Sequence, residues 1–469
     1  MRRWIPSVLA ASVLAAPALG PAARAEEPAP KATLEDALRT IEALKARVRD
    51  QERRLAELEN RAAPDYAKEL RQMVADILKE GDPMDLKLYW KDGLRMDSRD
   101  GNVKIKFGGR FYYDFTWDSG GDLEKTAAIG DLADGAEVRT GRLYVEGELW
   151  KNLAFKWEWD FATASPVIKD AYLEFRRLPC VQNLRIGHFK EPFSLEELTS
   201  SRYITFMERS LPNVFVPSRN AGAMLHGALF DDLLTFAGGW FRDVNDQGFG
   251  WGQGGAASTD GDNVFTGRLT ASPVYLEKGR YVVHLGAAYS YRELDGLLRY
   301  RQRPEAHLLQ RFVDTGNVAV NEIHVVGGEL AAVVGPFHAE AEYVGAYPTR
   351  AASADLNFCG WYAQVGYFLT GETRPYKRAS GTFDRAKPKK PYGKDGGFGA
   401  VEVAGRYSEL DLRQGATNGG TLRDYTAGLN WYVNNNVRLM FNYIHSDLDR
   451  SAAVRGDADI FTMRLQFDF

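Results

Sequence analysis

From Lys104 to the carboxy-terminus the chain alternates apolar and polar residues with a period of two. Ile105, Phe107, Phe111, Tyr113, Phe115 and Trp117 occupy one parity, and Lys104, Lys106, Arg110, Asp114 and Thr116 the other. Successive side chains point to opposite faces of a strand, so each such run has one apolar and one polar face. The chain ends in the same way, with Phe461, Met463, Leu465, Phe467 and Phe469 set against Thr462, Arg464, Gln466 and Asp468. A final strand of this kind suits an edge strand of a soluble β protein or the closing strand of an outer-membrane barrel. The alternation predicts about sixteen strands, over residues 104–117, 139–150, 152–163, 167–176, 182–190, 220–230, 233–242, 262–272, 280–292, 320–334, 336–347, 356–369, 397–410, 421–433, 436–447 and 457–469. Each run is about the length that crosses a bilayer when tilted. Aromatic residues crowd the ends of the apolar faces, as interfacial girdles require. The connections alternate between long and short, as outer loops and periplasmic turns do in a barrel and as a soluble sandwich does not need. The expected fold is all-β: a 16-stranded antiparallel transmembrane β-barrel over residues 99–469. Residues 370–396 depart from the rule. They are long and basic yet fall on the periplasmic side, which implies either a miscounted strand or an unusual periplasmic excursion.

The period is different before the strands. Leu34, Ile41, Val48 and Leu55 recur every seven residues, and Ala37, Leu44, Gln51 and Leu58 follow three positions later. Apolar heptads among charged residues, without Gly or Pro, predict a short α-helical coiled coil. The other reading is a single amphipathic helix lying on its own barrel. Residues 26–64 are thus expected to form a periplasmic stalk, and residues 65–98 a helix and linker interrupted at Gly81-Asp82-Pro83. Ahead of it, Arg2 and Arg3, an apolar stretch from Ile5 to Leu19 and Ala23-Arg24-Ala25 read as a signal peptide over residues 1–25.

Composition narrows the function. The formal charge is −4 and becomes more negative once Arg2, Arg3 and Arg24 are removed, which gives no support to nucleic-acid binding. For a pore, selectivity depends on the few charges lining it and not on the whole-chain balance. The two cysteines, Cys180 and Cys359, fall at opposite ends of the strand map and are too far apart to bridge. No histidine has a Cys or His partner at ligand spacing, and no Ser/His/Asp group gathers at one end of neighbouring strands, so no metal, cofactor or catalytic residue is assigned.

The connection 191–219 is too apolar for a loop with nothing to pack on. Folded into the barrel, it would narrow the lumen and bring Arg202 and Arg209 to the constriction. Here the sequence resembles a known family. Ile186-Gly187-His188-Phe189-Lys190-Glu191-Pro192-Phe193-Ser194-Leu195-Glu196, Thr199-Ser200-Ser201-Arg202 and Met207-Glu208-Arg209-Ser210 are similar to the phosphate-selective porin O and P family. Gly108-Gly109-Arg110, Leu369-Thr370-Gly371-Glu372 and Gly405-Arg406-Tyr407-Ser408 resemble it too, and the basic segment 370–396 looks like a family feature. The resemblance implies a trimeric outer-membrane porin whose third outer loop folds inward and which passes small anions, phosphate or polyphosphate. It places the family's Ser-Ser-basic cluster on Ser200, Ser201 and Arg202, and the early arginine on Arg110. The paired arginines of the second strand are matched only loosely, by Arg139 and Arg142. The expected anion-binding constriction is Arg110, Arg142, Ser200, Ser201, Arg202 and Arg209. The expected partners are small anions, outer-membrane lipid and two further copies of the chain. Peptidoglycan or a periplasmic protein could engage residues 26–64, and the alternative function is a weakly selective diffusion porin tethered through that stalk.

Overall fold

The computed structural model describes residues 86–469, except 124–128, 130, 131, 133, 164, 245–262 and 352, together with residues 39, 42–43, 45–50 and 52–53. Those last residues are helical. The signal peptide and most positions of the heptad pattern lie outside the described residues.

Sixteen strands form where the alternation places them. They are β1 (Val103–Asp118), β2 (Gly135–Leu149), β3 (Leu153–Asp160), β4 (Val167–Leu178), β5 (Gln182–Lys190), β6 (Arg219–Leu229), β7 (Leu234–Arg242) and β8 (Val264–Leu276). The second half is β9 (Tyr281–Leu298), β10 (Val318–Val334), β11 (Phe337–Thr349), β12 (Phe358–Phe368), β13 (Ala400–Gln414), β14 (Thr417–Tyr432), β15 (Val437–Ser451) and β16 (Val454–Asp468). Neighbours in sequence pair antiparallel, and β16 pairs with β1 from Ile460↔Asp118 to Asp468↔Arg110, which closes the barrel. Closure removes both sheet edges, so the backbone groups need no water. The two faces sort as the parity requires. Leu143, Trp157, Leu269 and Leu330 are each more than half exposed on the outside, whereas Arg110, Glu158, Arg406 and Arg464 are buried within.

Closure depends on glycine. Gly109 and Phe469 exchange two backbone hydrogen bonds of 3.0 Å. A Cβ on Gly108 would lie 2.6 Å from the Phe469 carbonyl oxygen and 2.3 Å from the Tyr144 hydroxyl. Below that seam, residues expected as linker form an antiparallel hairpin, Leu86–Trp90 and Leu94–Ser98, whose second strand pairs with Lys104–Phe107 of β1. The hairpin continues the wall beyond the carboxy-terminus, and Trp90 stacks on Phe469 with ring centroids 5.9 Å apart.

The turns 150–152, 179–181, 230–233, 277–280, 335–336 and 433–436 mark the periplasmic end, and the long connections 119–134, 191–218, 243–263 and 299–317 the outer end. Segment 369–399 is a true periplasmic excursion and not a lost strand, since β12 and β13 pair with each other directly. It folds back into the lumen, where Tyr376 and Phe383 are buried. On the outer side, Leu123, Leu211, Phe215, Leu309 and Phe312 from three long connections pack against inward Ile323, Val344, Leu410 and Ile444. Near the outer end, the inward faces under these three connections are apolar. Cys180 and Cys359 are both unbridged.

Candidate functional site

Connection 191–218 enters the lumen at Pro192-Phe193-Ser194. Ser194 turns the chain at φ 67° and its hydroxyl accepts from the Glu197 amide, capping a single helical turn, Leu195–Leu198. The amides of Leu195 and Glu196 donate to the Glu342 carboxylate of β11 at 3.0 and 2.7 Å. Further along, the wall holds the loop by its carbonyl oxygens. Arg438 donates to those of Ile204 and Thr205, both at 2.8 Å, and Asn430 to Thr205 at 2.9 Å. Gln466 donates to the Arg202 carbonyl at 3.0 Å, and Arg406 to that of Glu208 at 3.0 Å. Buried carbonyl groups must be paired, and charged donors pair them strongly. The inward arginines of β13 to β16 are thus occupied in seating the loop against one side of the barrel.

The space left on the other side is a cavity of about 560 Å³ bounded by β1 to β8, Arg464 of β16, the loop and residues 379–382. Eleven arginines and lysines line it, against three carboxylates, Asp170, Glu208 and Asp232. Most of these cations are paired within the wall. Arg110 forks onto both oxygens of Glu158 at 2.9 and 3.0 Å, and Arg142 contacts Glu158 at 3.1 Å and Asp160 at 2.7 Å. Lys156 and Arg219 share Asp170 at 2.5 and 2.8 Å. Arg139 forks onto Glu208, and Arg464 onto Asp114. Pairing offsets the cost of placing charge in a narrow interior.

Arg202 differs from these. Its nearest carboxylate among the described residues is Asp468, at 3.9 Å, and Asp468 is already engaged by Arg385. Its other contacts are long or aromatic: Ser200 Oγ at 3.3 Å, the Tyr144 hydroxyl at 3.4 Å, and the rings of Tyr144 and Tyr203 with centroids 5.6 and 5.1 Å away. Around it stand Lys106, which donates to the Tyr144 hydroxyl at 2.7 Å, and Arg110, which donates to Ser201 Oγ at 2.9 Å. This corner presents guanidinium, ammonium and hydroxyl groups, with Asp468 and Glu146 each 3.9 Å from its cations.

Residues 105–469 match the family model described as "Phosphate-selective porin O and P". The chain belongs to that family. It is an outer-membrane porin, with the all-β barrel just described. An uncharacterized protein of Caulobacter vibrioides is 30% identical over 404 residues, covering 81% of this chain and 77% of the relative. Porin O of Pseudomonas aeruginosa is 28% identical over 434 residues, covering 83% and 93%. Among solved structures, the outer-membrane channel DcaP of Acinetobacter baumannii aligns with a TM-score of 0.48 at 12% identity, over 80% of this chain and 99% of DcaP.

All six residues singled out in the porin's sequence, Arg110, Arg142, Ser200, Ser201, Arg202 and Arg209, line the one cavity. Arg209 is spent on the loop itself: it pairs with Glu197 at 2.9 Å and donates to the carbonyl oxygens of Glu196 and Thr199. Tyr144, Arg185 and Lys190, which are not among the six, also line or border the site. Arg185 and Tyr144 stand on inward parity, which marks them as lumen residues; their convergence with the 191–218 connection is not written in parity.

Proposed function

We propose that the porin conducts small anions, phosphate among them, and that Arg202, with Ser200 and Ser201, forms the corner an anion meets at its narrowest passage, Arg110 positioning the Ser201 hydroxyl. The observation that carries this reading is the contrast between Arg202 and its neighbours. A guanidinium whose charge is balanced by a fork of carboxylate oxygens offers little to a passing ion, whereas one that faces rings and hydroxyls still attracts anions. Phosphate geometry suits a planar guanidinium flanked by hydroxyl donors. A single part-exposed guanidinium with hydroxyl neighbours binds weakly, as continued flux requires. Family membership supports the same substrate class. We further infer that the porin assembles as a trimer, which the family resemblance and the heptad pattern of residues 31–60 support.

The test is a reversal potential across a salt gradient in a planar bilayer, followed by phosphate added to a chloride current. An anion-selective sign and a phosphate-dependent drop in chloride current are expected. A reversal potential at zero, with no effect of phosphate, would leave a weakly selective diffusion porin as the description.

A further inference from the structure

The periplasmic excursion does not end inside the lumen. After Arg385 the chain climbs out and crosses the rim onto the lipid-facing side of β14. There the Tyr392 amide donates to the Val433 carbonyl at 2.8 Å, and Trp431 Nε1 donates to the Phe398 carbonyl at 2.8 Å. Phe398 stacks on Trp431 with centroids 5.3 Å apart, and Tyr392 meets the same ring edge-on at 5.7 Å. The two rings are held in place yet remain 61% and 58% exposed. An ordered aromatic pair left open on the outside of a membrane barrel, level with its periplasmic rim, sits at headgroup depth.

The same flap is cationic. Lys389, Lys390 and Lys394 are exposed, and Asp395 is the one carboxylate between residues 387 and 398. Among the described residues, Lys390 and Lys394 have no carboxylate partner. Lys387 reaches Asp92 at 3.9 Å, which joins the flap to the hairpin below the seam. That hairpin carries Leu88 and Trp90, each 64% exposed. None of these lysines lines the cavity, so anion passage does not account for them.

We propose that this rim, the flap 387–398 with the adjoining hairpin, is a binding site for anionic phospholipid of the periplasmic leaflet. Tyr392, Phe398 and Trp431 lie among the headgroups and upper acyl chains, while Lys390 and Lys394 contact the phosphodiester. A zwitterionic headgroup supplies the apolar contact but cancels the charge. An anionic one satisfies both, because each lysine near a negative membrane surface adds favourable energy. The site would fasten the periplasmic excursion, and with it residues 376–383 inside the lumen, to the surrounding bilayer.

The experiment uses the full chain, purified in mild detergent and exposed to equimolar phosphatidylglycerol and phosphatidylcholine, with retained lipid counted by native mass spectrometry. Preferential retention of phosphatidylglycerol is expected, falling about tenfold in the double variant Lys390→Glu/Lys394→Glu with single-channel conductance unchanged. Lys390→Gln/Lys394→Gln should give an intermediate loss, and Phe398→Ser should weaken retention of both lipids. Equal retention of the two lipids by the wild type would overturn the proposal, as would charge reversal without effect. So would a variant that keeps its lipid but loses its oligomer, which would assign the rim to contact between copies. Lost binding to purified peptidoglycan with lipid retention intact would likewise overturn it.

Discussion

At the scale of single residues, the described arginines of the interior differ in how closely carboxylates meet them. Arg464 sits in a fork with Asp114 at 2.7 Å and also reaches Glu208; its field is cancelled at contact distance. Arg202 lacks such a fork. Arg202→Ala should therefore lower the anion-to-cation permeability ratio, by the equivalent of about 1–2 kcal/mol at an effective dielectric near 20, with little change in thermal stability. Arg464→Ala should do the reverse. It leaves buried carboxylates without their partner, a loss of about 3–5 kcal/mol, visible as a lower unfolding temperature. Reversal potentials and melting curves on the two variants separate these outcomes. Equal selectivity losses would mean that the 191–218 loop does not form the filter.

At the scale of elements, the loop is held inside by its backbone groups as well as by its side chains, Glu196 and Glu208 among them. The Glu342 carboxylate anchors the helical turn through two amides. Glu342→Ala should cost about 2 kcal/mol of local anchoring, as hydrogen bonds to a charged group do. The loop then loosens, and single-channel records should show a larger and noisier conductance; an unchanged histogram would exclude Glu342 as an anchor. The closing seam makes a separate case. Because a Cβ on Gly108 would meet the Phe469 carbonyl and Tyr144, Gly108→Ala should destabilise closure by about 1–3 kcal/mol. The folded fraction, read as the fast-migrating species in unboiled gel electrophoresis, should fall. The Gly108-Gly109-Arg110 string thus has a physical reason: two glycines admit the last residue of the chain, and the arginine after them points into the lumen.

At the scale of the molecule, the interior is lopsided. Loops fill the half against β9 to β16, and the cavity keeps to the half against β1 to β8. If the porin assembles as the proposed trimer, it should survive mild detergent and separate into monomers only on boiling. A monomer in every mild detergent would count against the trimer and the coiled coil together. The strands were legible in the sequence because a barrel wall imposes one rule on every residue: lipid outside, water or protein inside, period two. That rule placed most of the sixteen strands, including the one ending on Phe469, and it put Arg110, Arg406, Arg438 and Arg464 on the inner face; residues 320–334 alternate poorly, yet form β10. It could not say what each inward arginine would meet. Partners such as Glu158 for Arg110, or the Thr205 carbonyl for Arg438, lie far away in sequence and are joined only when the sheet closes and the loop folds in. The same holds for the hairpin 86–98, where short alternating runs are indistinguishable from linker until β1 offers them an edge. Periodicity is a local consequence of the solvent on each side of the wall, so the sequence determined the strands, their faces and the inward loop. Charge compensation is a property of three-dimensional neighbours, so only the tertiary structure decided which arginines are forked onto carboxylates and that Arg202 has Asp468, at 3.9 Å, as its nearest one among the described residues.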